Sequence, residues 1–229
     1  MRTLLVMAVL PAAVLLAYVY RIDPREKEPA SLLGRLLLAG MASTVPAMVV
    51  EVALTATLFG DAEPLALRDV LVDNFLVVGL TEELCKFVAL KGRSWRDPAF
   101  DHVFDGIVYA VFAGLGFAIA ENVLYVLEFG PQTAVVRAFT AIPGHCMFAV
   151  FMGFFYGHAR LARSRGHGFA CALLGLFAIA VPVVLHGAYD TRASIGTVEA
   201  SALFLVLLAL MVVVGMGLAK HVARRGERI

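Results

Sequence analysis

The chain has 229 residues, of which 61% are hydrophobic and only 16% charged, with a formal net charge of +1 and a mean hydropathy of +0.85. That composition excludes an ordinary soluble domain and places the chain in a lipid bilayer. At about 20 residues per crossing, the length predicts a single all-α integral membrane domain over residues 1–229, a polytopic membrane helix bundle of about seven transmembrane helices with no separate soluble domain.

Residues 4–20 form the first apolar run; a basic segment rather than a small-residue cleavage site follows, so it reads as a retained span. Residues 21–29 make a polar loop with Arg21, Arg25 and Lys27. The second span, 32–59, contains Pro46 as a kink point and ends near Glu51, read as interfacial or packed into the bundle. Residues 61–74 connect it to a third span, 75–90, and a basic loop with Lys91, Arg93 and Arg96 comes next. The fourth span, 105–127, opens on Asp105, read as a helix N-cap. Its Gly106, Gly114 and Gly116 let helices approach closely. After Phe129-Gly130-Pro131 comes a fifth span, 137–158, where Pro143-Gly144 predicts a kink or local unwinding ahead of His145. Arg160, Arg163 and Arg165 precede a sixth span, 169–189; the seventh, 200–219, ends in Lys220, Arg224, Arg225 and Arg228. Cys85, Cys146 and Cys171 all fall in apolar segments and read as small buried residues, not a disulfide framework.

With seven spans, every second connection faces the same side. One side then collects 14 of the 19 Lys and Arg and the other only Arg2, Arg68, Arg137 and Arg192, with Lys86 set apart as intramembrane. The excess of basic residues marks the cytoplasmic side, so the amino terminus is expected outside and the carboxyl terminus in the cytoplasm.

The spans hold polar residues that hydrocarbon does not tolerate cheaply. Thr81-Glu82-Glu83-Leu84-Cys85-Lys86 sets two carboxylates and an ammonium in an apolar run, at roughly 2.5–3.5 kcal/mol for each charge left unpaired and dry. Glu82 and Lys86 are i,i+4 neighbours and can pair, which leaves Glu83 to find a partner elsewhere. Glu121-Asn122 lies on the fourth span with Tyr125 on the Glu121 face, His145 on the fifth, and His186 and Asp190 at i,i+4 on the sixth. That last spacing suits a carboxylate that orients an imidazole or two ligands of one metal. Counting about 1.5 Å of rise per residue puts these groups at one level, between the midplane and the outer face. No G-x-S-x-G or H-E-x-x-H pattern is present, and no glycine-rich phosphate loop or nucleic-acid motif. A buried glutamate can act as general base toward water, with histidines positioning that water, donating to an oxyanion or holding a metal. Peptide hydrolysis in the bilayer fits, and so does a transporter or signalling protein that uses the Glu/His/Lys cluster as a proton or ion relay.

The run Glu82-Glu83-Leu84-Cys85-Lys86, the segments at 104–109 and 116–125 with Glu121-Asn122 and Tyr125, His145-Cys146-Met147-Phe148 with Gly153, and His186 to Asp190 together resemble the PrsW family of membrane proteases. The resemblance covers about residues 75–191, and no motif matches in the first two spans or the last. It implies a protease of the bacterial plasma membrane that makes the first cut in a membrane-anchored substrate, a single-span anti-sigma factor, on its extracytoplasmic side. The family is distantly similar to CAAX prenyl proteases and bacteriocin-processing enzymes. By that likeness Glu82, Glu83, His145 and His186 are the catalytic candidates, and Lys86, Glu121, Asn122 and Asp190 support them. The cofactor question stays open at this point: a metal-free glutamate mechanism is slightly favoured, while His145 and His186 with Glu83, Glu121 or Asp190 could make a zinc site.

Overall fold

In a bilayer a helix satisfies its own backbone hydrogen bonds, and the long apolar runs of this chain all take that form. The structure, a computed structural model, describes residues 1–22, 27–60, 66–195 and 197–229. The first helices are α1 (Arg2–Ile22) and α2 (Ala30–Phe59). The chain then runs helically from residue 67 to 94 as α3 (Leu67–Val72), a wider-wound π segment (Asp73–Gly79) and α4 (Leu80–Ser94). The rest is α5 (Val103–Phe129), a short α6 (Pro131–Phe139), α7 (Ala141–Ser164), α8 (Gly168–Ile195) and α9 (Val198–Arg225).

Among the described residues, six helical stretches are long and apolar enough to cross a membrane, with α6 and α7 counted together. The run through α3 and α4 is the seventh rod, and it carries Glu82, Glu83 and Lys86. It begins at Leu67, eight positions before the start expected for the third span, because the helix absorbs the polar residues ahead of Phe75. Asn74, for example, donates its side-chain amide back to the Val70 carbonyl at 2.8 Å. The expected loops at 21–29 and 61–74 fall partly outside the described residues, as does Arg25 of the charge count.

Helix α5 is the hub, since its residues from Val103 to Ile119 are buried almost without a break. Glycine makes the close approaches possible. A Cβ on Gly106 would lie 2.8 Å from the Gly153 carbonyl oxygen and the Gly157 Cα of α7. On the opposite flank Gly116 abuts the Leu37 backbone and Gly40 the Ala113 backbone, which locks α2 to α5.

Two expectations are corrected in detail. Pro143 does not kink a helix: α7 begins at Ala141 after a break at Thr140 (φ −121°, ψ −74°), so the proline sits in the first turn, where its missing N–H costs nothing. Pro46 lies inside α2, which runs as one helix from Ala30 to Phe59. Asp105 is the third helical residue rather than the N-cap; its carboxylate accepts from the backbone N–H of His102 at 2.7 Å and of Asp101 at 3.1 Å, which satisfies helix-end donors.

One end of the bundle gathers several basic connections. Arg35 of α2 pairs with Asp97 at 3.4 Å, and the carboxyl-terminal residues strap onto the α4–α5 loop through Val103 N–H to Glu227 O (3.0 Å) and Ile229 N–H to Asp101 O (2.7 Å). The three cysteines are unpaired, Cys146 fully buried. Crowding at the α5–α7 crossing predicts that Gly106→Val lowers stability in detergent by about 1–3 kcal/mol. Gly92→Ala, where a Cβ meets nothing within 4 Å, leaves the unfolding midpoint unchanged or slightly raised.

Candidate active site

The site is built outward from α4. Glu82, Glu83 and Lys86 lie within little more than one helical turn, so their side chains can converge. Lys86 Nζ donates to Glu82 Oε2 at 2.9 Å and to Glu83 Oε1 at 2.8 Å. Glu83 therefore does not look elsewhere for its first partner; both glutamates hold the same ammonium. Lys86 Nζ also lies 3.0 Å from His145 Nδ1 and 4.3 Å from the centroid of the Phe117 ring. The group is buried: Glu83 is 0% exposed, Lys86 2%, His186 3%, His145 5% and Glu82 6%.

Other helices bring the remaining members. The break at Thr140 starts α7 so that His145 falls on its second turn, and His145 Nε2 meets Glu121 Oε2 of α5 at 2.9 Å. Glu121 Oε1 in turn lies 2.9 Å from Arg137 Nη2 on α6, an ion pair without hydrogen-bond alignment. Arg137 Nε donates to Asn122 Oδ1 at 2.8 Å, and Asn122 donates to the Ala8 carbonyl of α1 at 2.7 Å. From α8, His186 Nδ1 meets Glu83 Oε1 at 2.9 Å. Its Nε2 lies 3.1 Å from Asp190 Oδ2 and 3.9 Å from Glu82 Oε2. Phe148 stacks on the His186 ring at 4.6 Å between centroids and presents its edge to His145.

A cavity of about 900 Å³ opens beside this cluster. Glu82, Glu121, His145, His186 and Asp190 line it; Glu83, Lys86 and Asn122 do not. The two adjacent glutamates are thus separated by environment: Glu82 faces the cavity, and Glu83 sits behind it with Oε2 buried and unpartnered. Apolar residues such as Met48, Val52, Leu124 and Phe204 form much of the remaining wall.

All eight residues singled out from the sequence belong to this one network or its immediate supports. Sequence reasoning missed two more. Arg137, counted there only as a loop charge, is the cation that fixes Glu121 and Asn122; its signal was a lone arginine in an otherwise apolar stretch after the Gly130 break. Glu51 of α2 lines the same cavity with Oε1 buried and unpartnered, and its signal was a carboxylate inside a long apolar helix.

Donor atoms from Glu82, Glu83, His145 and His186 all lie within 4.8 Å of one another, close enough to suggest a metal. The donor chemistry does not fit one in this arrangement. Both ring nitrogens of His145 are engaged, Nδ1 with the Lys86 ammonium and Nε2 with Glu121. The Glu82 and Glu83 oxygens nearest the centre face the same ammonium. The remaining outward-facing set, His186 with Asp190 and Glu82, shares its Glu82 oxygen, 3.9 Å from His186 Nε2, with the Lys86 ammonium 2.9 Å away.

Comparison with known proteins bears on this geometry. The sequence model described as PrsW family intramembrane metalloprotease matches residues 28–216. The chain is 35% identical over 190 residues to a protein named Protease PrsW from Geobacillus kaustophilus, covering 83% of this chain and 79% of that protein. It is 32% identical to the protein of the same name from Bacillus subtilis, covering 79% and 78%, and 32% identical to that from Halalkalibacterium halodurans, covering 83% of each. No solved structure matches the chain.

The network predicts unequal roles for the two arginines on the cavity wall. Arg137→Met strands a glutamate oxygen and the Asn122 carbonyl, and should cost about 1–3 kcal/mol in denaturant unfolding of the detergent-solubilised protein. Arg192→Met, which breaks no ion pair among the described residues, should change stability by less than about 0.5 kcal/mol.

Proposed function

The chain belongs to the PrsW family of intramembrane metalloproteases and is a multi-pass membrane protease, and we propose that it hydrolyses a peptide bond of a membrane-anchored protein with a water activated by Glu82. The observation that carries this reading is the asymmetry of the paired glutamates. Glu82 Oε2 and His186 Nε2 stand 3.9 Å apart, both on the cavity wall, so one water can touch both. Glu83 is committed to Lys86 and His186.

In the proposed reaction Glu82 removes a proton from that water as its oxygen attacks the scissile carbonyl carbon. The charge that develops on the carbonyl oxygen faces the His186 Nε2–H on the cavity wall, a donor held in place before the reaction begins. Glu82 then returns the proton to the departing amine, the C–N bond breaks, and a carboxylate and an amine leave. Asp190 and Glu83 orient His186, while Glu121, His145 and Arg137 hold the ammonium and the α5, α6 and α7 ends in register.

The substrate is proposed to be a single-span membrane protein, an anti-sigma factor by family resemblance, cut at its extracytoplasmic side. Two features support this placement. The cavity lies at the end of the bundle that carries Arg137 and Arg192, opposite the basic connections, and the charge asymmetry assigns that end to the outside. Its apolar wall suits a peptide that emerges from the bilayer.

The test is co-reconstitution with a tagged single-span substrate. Wild type should yield two fragments, and Glu82→Gln should slow cleavage by about 10²–10⁴-fold, while Glu82→Asp should keep a measurable part of the activity. An intact substrate with wild type, together with ion flux that follows an imposed pH gradient, would overturn the reading in favour of a relay. Orientation has its own check: a fluorescent reporter fused after Ile229 should fold and fluoresce in the cytoplasm, whereas one exported to the outside would invert the proposed topology.

A further inference from the structure

The cluster has the form of a metal site with no place left for the metal. In metal centres a histidine commonly ligates through one ring nitrogen while the other donates to a carboxylate. His145 has that arrangement: Nε2 meets Glu121 at 2.9 Å and Nδ1 points inward. What Nδ1 meets, at 3.0 Å, is Lys86 Nζ. The same nitrogen holds Glu82 Oε2 at 2.9 Å and Glu83 Oε1 at 2.8 Å, so three donors from two helices surround one buried cation. His186 extends the pattern, since its Nδ1 meets the very Glu83 oxygen that Lys86 holds.

We propose that Lys86 is the resident cation of this cluster, that it occupies the place a divalent metal would take, and that Glu82, Glu83 and His145 bind zinc only when Lys86 is removed. The inference departs from the metallo- character in the family's description, and its readout is metal content rather than cleavage, so it stands or falls separately from the proposed reaction.

The physical case rests on three points. First, two buried carboxylates in a helix within the bundle require a counter-charge, and the ammonium, itself 2% exposed, supplies it from within the same helix. Second, an ammonium donates three N–H groups, and three acceptors stand at 2.8–3.0 Å around this one, so its donor capacity is filled. Third, a zinc ion bonds such donors at about 2.0–2.2 Å; entry at their centre would place it on the lysine nitrogen. Truncation of the side chain empties that centre. It leaves two carboxylates and an imidazole, and they need to draw in by less than about 1 Å to reach bonding distance.

The experiment uses the full-length protein in detergent, wild type and Lys86→Ala, each purified with and without micromolar zinc, dialysed, and assayed for bound metal and thermal midpoint. Wild type should retain less than about a tenth of a zinc per chain and show no shift in midpoint with zinc. Lys86→Ala should retain about one per chain and rise in midpoint as zinc is added, and Lys86→Ala/His145→Ala should lose both effects. Recovery of folded Lys86→Ala only in the presence of zinc would also support the proposal. Stoichiometric zinc in wild type that is lost in His145→Ala would overturn it. So would a Lys86→Ala protein that takes up no more zinc than wild type, or one that zinc fails to rescue.

Discussion

A single buried ammonium sets the terms for this site. Lys86 lies in a helix interior between two carboxylates and an imidazole, and its charge offsets those of the two glutamates there. A lone charge at that depth costs several kcal/mol, and so does one whose partner is withdrawn. The members of the cluster come from α4, α7 and α8, with Glu121 of α5 one step beyond, so the electrostatic constraint is also a constraint on how four helices pack.

The fold meets that demand with close backbone contacts and helix ends. Glycines on α5 and α7 bring those two rods near enough for Glu121 to reach His145. The restart of the chain at Ala141 aims His145 inward from the second turn of α7. Arg137, on the short helix between α5 and α7, ties Glu121 and Asn122 together, and Asn122 reaches on to α1. A line of polar contacts thus runs from the first helix to the buried cluster and on to Asp190 of α8, all within an otherwise apolar bundle. Such continuity favours a rigid site, with donors fixed before a substrate arrives.

Much of this was legible in the residues themselves. Hydropathy fixes the helical rods, because a bilayer leaves the backbone little choice, and the positions of Glu82, His145 and His186 within their runs already put them at one level. What periodicity could not show was how side chains share partners. The i,i+4 rule pairs Lys86 with Glu82, but the ammonium has three donors and takes Glu83 and His145 as well. Nor could it separate Glu82 from Glu83: adjacent residues differ only in azimuth, and which azimuth meets the cavity depends on how α2, α5 and α8 pack around α4. The π segment at Asp73–Gly79 extended the third helix beyond its apolar run, since polar residues there bond within the helix. Arg137 was missed because it acts through neighbours distant in sequence, and Glu51 because only the packing of α2 brings it to the cavity wall.

The division of labour between the paired glutamates is the centre of the account: one carboxylate lines the cavity, and the other is locked behind it. Cysteine accessibility measures that division directly. In a background with Cys85, Cys146 and Cys171 replaced by alanine, Glu82→Cys and Glu83→Cys would be exposed in turn to a small membrane-impermeant thiol reagent in proteoliposomes. The account predicts rapid modification at position 82 and protection at position 83. Modification of both at equal rates, or of position 83 alone, would contradict it.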